Sequence, residues 1–135
     1  MAVLVDTGIL YALADADDRW HDPASAWLED VSELLIVSVT ALPEVASLLH
    51  TRLGAAAELA FVQSLSAGEL EVEDLRRTDL TRCSEMMRRY PEIGFVDASI
   101  VAMAERLRIE GIATTDRRHF EIIRPKHTRA FTLLP

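Results

Sequence analysis

The sequence has one cysteine, no long apolar run and very few basic residues in its first half. Cys83 alone can form no internal disulfide, and without clustered Cys or His it has no partners for a cysteine-rich zinc site; both fit a reducing interior. The apolar stretches are broken early by Asp6, Ser38 or Glu44, well short of the roughly 20 residues that a bilayer span needs. No basic segment precedes an apolar one at the amino terminus. These absences predict a soluble, non-exported, cytoplasmic chain with no membrane partner. Glycine and proline number five each and gather into no linker, and no internal repeat is present. The expectation is one domain spanning residues 1–135. Half of the 135 residues are apolar, enough to bury a sizeable core, which excludes disordered, collagen-like and coiled-coil chains.

The scarcity of positive charge is uneven. The formal charge is −8, yet residues 1–75 hold fourteen acids against two arginines, whereas residues 76–135 hold twelve basic residues against eight acids. A uniform −8 argues against a nucleic-acid partner, because phosphate binding relies on Lys and Arg displacing counterions. An acidic half beside a basic half does not. Arg117, Arg118, Arg124, Lys126 and Arg129 are opposed in their stretch only by Glu121, and so form a candidate phosphate-contacting strip. A merely solvated surface accounts for them equally well.

Periodicity alternates between strands and helices. Ala2–Val5 reads as a strand and Thr7–Ala14 as a helix. Asp22-Pro23 reads as the start of a helix carrying Ala24, Trp27 and Leu28. Leu34–Val39 reads as a strand, followed by a helix capped by Thr40, with Pro43 in its first turn, running to Gly54. Ala55–Ser66 completes a helical hairpin and stops near Gly68. Leu70 and Val72 mark a short strand, Thr78–Tyr90 a helix ended by Pro91, and Phe95–Ile109 a long helix stopped by Gly111. Ile112–Thr115 and Phe131–Leu134 read as the last strands. Such alternation predicts an α/β, doubly wound architecture: a mostly parallel central sheet with helices on both faces.

Ligands of such sheets gather beyond the carboxyl ends of the strands. Asp6 and Asp116 each follow a predicted strand, while Glu44 and Asp97 each open a helix. Singly, an acid at a helix start is explained by capping and the helix dipole. Together on one rim, four carboxylates repel one another unless a cation sits among them. Carboxylates without clustered Cys or His favour a hard, oxygen-ligated ion, Mg²⁺ or Mn²⁺. Such a site suits phosphodiester chemistry.

The Asp6-Thr7-Gly8 turn, helix-borne Glu44, Asp97-Ala98-Ser99 and Thr115-Asp116-Arg117-Arg118-His119-Phe120, in that order, resemble the PIN-domain ribonucleases, specifically the VapC toxins of bacterial toxin–antitoxin pairs and among them the actinobacterial members. The resemblance spans nearly the whole chain. It implies a PIN-like α/β fold and an endoribonuclease in which Asp6, Glu44, Asp97 and Asp116 bind Mg²⁺ or Mn²⁺ and cleave RNA. It also implies a homodimer and a cognate antitoxin whose tail offers an Arg or Lys to the acidic cleft. Thr7 matches the family's hydroxyl beside the first Asp, and Thr115 adds a polar contact. Where some relatives carry a further acid, this chain has Arg117-Arg118-His119, and the two arginines become candidate substrate phosphate contacts.

His119, directly before Phe120, reads first as a structural contact and second as a leaving-group acid. Trp20 and Trp27 are candidates for base stacking, Trp27 more readily for core or interface. The helices around Trp27 and Leu59 are candidate dimer faces. No Ser has a His-Asp relay in its sequence context, so a serine hydrolase is unsupported. Three alternatives stand beside the ribonuclease. A haloacid-dehalogenase-like phosphatase needs a second Asp where Gly8 stands. A non-catalytic acidic interaction module would use the acids only as caps and charge. A DNA-directed nuclease would share the metal site, because the 2′-hydroxyl is read elsewhere.

Overall fold

The computed structural model describes residues 1–135. Five strands form one all-parallel sheet: β1 (Ala2–Val5), β2 (Leu34–Ser38), β3 (Glu71–Glu73), β4 (Gly111–Ala113) and β5 (Thr132–Leu134), in the order β3-β2-β1-β4-β5. The predicted α/β architecture is therefore the observed one. Side chains alternate across the pleat. Leu4, Ile36 and Ile112 point to one face, against α5 (Arg77–Arg89), α6 (Phe95–Leu107) and Phe120. Val3, Val5, Val37 and Ala113 point to the other, against α1 (Thr7–Ala14), α2 (His21–Asp30) and α3 (Ala41–Leu53), with α4 (Ala55–Ser66) outside them. Both faces are thus buried, as a parallel sheet requires.

The helical hairpin is present, and Gly54 makes its turn at φ 98°, in the left-handed region open to glycine. Several boundaries differ from expectation. α2 begins at His21, with Asp22 already in its first turn. Thr40 precedes α3 without capping it by its side chain; its hydroxyl instead joins a chain, Ser38 Oγ to Thr40 Oγ1 at 2.6 Å and Thr40 Oγ1 to Ser99 Oγ at 2.7 Å. A hydroxyl that finds two buried partners there has no orientation left for the helix amides. α6 stops at Leu107 because Arg108 turns left-handed, φ 57°, and Gly111 opens β4 rather than ending the helix. Arg117–Ile122 forms an unpredicted short helix, α7, too brief to show apolar periodicity. No helix is long and apolar enough to cross a membrane.

α6, which presents Asp97 at its start, is pinned near its other end. Arg106 donates to both carboxylate oxygens of Asp79 and to Glu73 Oε1 at 2.9 Å, tying α6 to α5 and the end of β3. Asp79 also accepts the Arg76 amide at 2.9 Å. Burial alone would raise the Asp79 pKa, but the Arg106 guanidinium and that amide hold it below the usual value. Removing the guanidinium strands a buried carboxylate. Arg106→Met is expected to cost on the order of 3 kcal/mol, read as a lowered urea midpoint, whereas a variant within 0.5 kcal/mol of wild type would show that the cluster contributes nothing.

Candidate active site

All strands being parallel, their carboxyl ends share one edge. β1 is central, so Asp6 emerges in the middle of that edge; β4, its neighbour, delivers Thr114 to Asp116 beside it. α3 starts after β2 and brings Glu44, and α6, running back toward β4, starts with Asp97 on the same rim. Asp6, Thr7, Glu44, Asp97, Thr115, Asp116 and His119 all line one cleft of about 510 Å³. The four predicted acids do converge.

Asp6 is the most constrained, with 6% of its surface exposed. Its Oδ1 accepts the Thr7 amide at 2.8 Å and its Oδ2 accepts the Thr114 hydroxyl at 2.9 Å. Burial, then the charge of Asp97 and, more weakly, that of Glu44, push its pKa up to about 6, against the pull of those two hydrogen bonds. Asp97 is half-buried, and burial raises its pKa despite a hydrogen bond to His119, with Asp116 adding to the rise. Glu44 faces the same cleft from an exposed position.

His119 joins the site directly. Its Nδ1 lies 2.8 Å from Asp97 Oδ2 and 3.0 Å from Asp116 Oδ2. Donor atoms of Asp97, Asp116 and His119 all fall within 4.8 Å of one another, a spacing compatible with a shared ion, and Glu44 and Asp6 lie outside that group of three. The ring thus does more than brace Phe120: it hydrogen-bonds Asp97 and lies within ion-pair distance of Asp116. The signal was in the sequence only as spacing: Asp116 immediately precedes α7, and His119 follows three residues later, one turn into the helix.

Thr114 is a residue that the sequence reading did not single out. Fully buried, it donates to Asp6 and accepts the Asp116 amide at 2.9 Å, so one hydroxyl fixes two of the acids. Thr115, its neighbour, packs on Gly8 instead: a Cβ at Gly8 would stand 2.1 Å from Thr115 Oγ1. That close approach is why the turn after β1 carries glycine. Thr7 is buried, and its hydroxyl has no hydrogen-bond partner in the chain. Arg117 turns away and donates to the Pro135 backbone oxygen, while Arg118 is exposed and free of ion pairs.

Residues 3–124 match the PIN domain family. The chain belongs to that family. Among PIN-domain relatives, Ribonuclease VapC26 of Mycobacterium tuberculosis is 33% identical over 98% of this chain and 100% of its own length. The crystal structure of VapC20 of Mycobacterium tuberculosis, a sarcin–ricin loop cleaving toxin, aligns with a TM-score of 0.76 and 25% identity over 82% of this chain and 86% of that one. A toxin–antitoxin complex from Klebsiella pneumoniae shares the fold, with a TM-score of 0.71 and 22% identity over 96% and 99% of the two chains. The PIN-domain and VapC resemblance read from the motifs is thereby established.

Two outcomes follow from the geometry. A carboxyl with a raised folded pKa binds more protons folded than unfolded between about pH 4 and 6, so stability falls as pH rises through that window. For Asp6 the loss by pH 7.5 is on the order of 3 kcal/mol. Asp6→Asn should therefore raise the melting temperature in EDTA at pH 7.5 by several degrees and change it little at pH 4; equal effects at both pH values would contradict the assignment. Thr114→Val removes the hydroxyl from Asp6 and leaves the Asp116 amide unpaired, for an expected cost of about 2 kcal/mol. Carboxyl titration by NMR should then place Asp6 above its wild-type value.

Proposed function

We propose that this chain is a metal-dependent endoribonuclease toxin neutralised by a cognate antitoxin. The observation that carries the proposal is a buried Asp6 facing Asp97, Asp116 and Glu44 across one cleft in a PIN-domain chain. Four carboxylates in one cleft need a counter-charge. The donor set fits a hard divalent cation, because it is dominated by carboxylate oxygen, and the unpartnered Thr7 hydroxyl beside Asp6 is a further oxygen without a protein partner. Asp6, Asp97 and Asp116 would hold Mg²⁺ or Mn²⁺, with Glu44 at the mouth. Bound there, such an ion supplies Lewis acidity to a phosphodiester and lowers the pKa of an attacking water.

The chain's own residues do the rest. Asp6, with a pKa near 6, and Asp97 form the negative floor against which the cation is held. His119 Nδ1 keeps Asp97 and Asp116 in register. Thr114 fixes Asp6 relative to the Asp116 backbone. Arg118, exposed and unpaired, is available to a substrate phosphate, whereas Arg117 anchors α7 through Pro135. In-line displacement places a water oxygen on phosphorus as the bond to the leaving ribose oxygen breaks.

RNA as substrate is supported by the ribonuclease relatives, and an antitoxin by the toxin–antitoxin neighbour. An apolar groove of about 600 Å³ lined by Trp27, Leu28, Phe61 and Leu70 offers a partner chain a surface, while Leu59 and Val62 stand exposed on α4 for a second copy.

Incubating purified, antitoxin-free chain with total bacterial RNA in Mg²⁺, Mn²⁺ or EDTA, and mapping new 5′ ends, tests the proposal. Discrete ends that require metal and fall at least a hundredfold with Asp97→Ala are expected, together with metal-dependent thermal stabilisation that fades below pH 6. Metal-independent ends, or a flat metal titration with no ends, would sink it.

A further inference from the structure

The first 75 residues contain two basic side chains, Arg19 and Arg52, among fourteen acids. Both line a single cleft of about 440 Å³, with Trp20 and Tyr11. Neither forms an ion pair, although Asp15, Asp17 and Asp18 are close in sequence to Arg19. Each guanidinium instead lies near an aromatic ring: Arg19 5.9 Å from the centroid of Trp20, Arg52 5.1 Å from that of Tyr11. Arg52 also faces the Tyr11 hydroxyl and, beyond it, the Asp15 carboxylate, and Asp18 lines the same cleft, but neither guanidinium is closed into an ion pair, so each retains donors for a third group.

The cleft adjoins the acidic one. Gly8, Leu48 and Thr115 line both. Along α3, Glu44, Leu48 and Arg52 stand at i, i+4 and i+8, one stripe that leads from the carboxylates to the guanidinium over about 12 Å. The loop that carries Arg19 and Trp20 is pinned rather than loose. Asp18 accepts the Trp20 amide at 2.8 Å, Asp18 N donates to Asp15, and the His21 ring meets the Ala12 carbonyl at 2.7 Å.

We propose that this cleft is a nucleotide subsite for single-stranded RNA leaving the acidic centre, in which Arg52 and Arg19 hold a phosphate near the scissile one and the part of the Trp20 ring that the core leaves open contacts its base. The inference rests on the ribonuclease reading of the acidic cleft. Paired guanidinium and indole suit a phosphate with an unstacked base, which a single strand offers and a duplex does not. A carboxylate-rich peptide would use the arginines but would have no need of a cleft that opens into the acidic centre.

The test uses the full chain carrying Asp97→Asn to block cleavage and Trp27→Phe to leave Trp20 as the sole tryptophan. The probe is a fluorescein-labelled 12-nucleotide RNA of mixed sequence, followed by anisotropy at several KCl concentrations. Arg19→Gln and Arg52→Gln should each weaken binding about three- to tenfold and reduce the salt slope by roughly 0.7 per lost phosphate contact. Arg88→Gln, the same charge loss on α5 across the sheet, should do neither, and unlabelled RNA should quench Trp20 fluorescence. Melting temperatures establish that every variant is folded. Arginine variants indistinguishable from Arg88→Gln, in a chain whose wild type binds and cuts RNA, would overturn the subsite and leave the nuclease standing. Unchanged RNA affinity with lost affinity for a glutamate-rich peptide would overturn it in favour of a protein partner. A wild-type chain that neither binds nor cuts RNA would remove both readings.

Discussion

The placement of a buried carboxylate at the end of the central strand governs much of this molecule. Asp6 sits where β1 stops pairing, roofed by Thr7 and Thr114 and faced by Asp97 and Glu44. Ionised, it stands in a low-dielectric site with like charges for neighbours, an arrangement that opposes folding unless a cation or proton intervenes. The chain tolerates this because the sheet is covered on both faces. Leu4, Ile100 and Ile112 on one face of the sheet and Val37 on the other are fully buried, each contributing about 2 kcal/mol through burial. A site of stored repulsion is affordable on a sheet whose centre is otherwise apolar.

The same residue types appear elsewhere with the opposite outcome, and the contrast identifies which acids serve the cleft. Asp79 and Glu73 are matched by Arg106, and Glu105 by Arg82 at 2.7 Å. Those carboxylates tie α6 to α5 and to the end of β3 and are electrically satisfied. Around the cleft, no Arg or Lys reaches Asp6, Glu44, Asp97 or Asp116; His119 is the basic group in contact. Composition records all of them alike. Only the three-dimensional partners separate acids that brace helices from acids left to meet a ligand.

Much of the fold was legible because its signals are local. Short apolar runs ending in Asp, followed by amphipathic stretches, gave the order of strands and helices, and parallel topology then placed Asp6, Glu44, Asp97 and Asp116 on one rim without any knowledge of contacts. What the sequence withheld depends on register. Thr114 and Thr115 are chemically identical neighbours, and the end of β4 at Ala113 decides that the first turns in to Asp6 while the second packs on Gly8. α7 escaped because six residues, four of them charged or His, show no apolar period. Missing it concealed that the turn of α7 brings the His119 ring back to Asp116. Thr40 looked like a cap because Thr is a good one; its true partners, Ser38 and Ser99, come from a strand and a helix 59 residues apart from it at the farther end.

Hydroxyls, together with the His119 ring, set the positions of the acids, and no Arg or Lys does. Ser99 donates to the Val96 carbonyl at 2.6 Å and meets Thr40, so the first turn of α6, which bears Asp97, is fastened to the start of α3, which bears Glu44. Thr114 does the same for Asp6 and the Asp116 backbone. Neutral hydrogen bonds are well suited to this task. They fix geometry without adding a counter-charge that would compete with a cation or repel one, and those that end on a carboxylate favour its ionised form, the form a cation binds. An Arg in place of Thr114 would satisfy Asp6 electrically and, by the logic that makes Asp79 structural, would take it out of service.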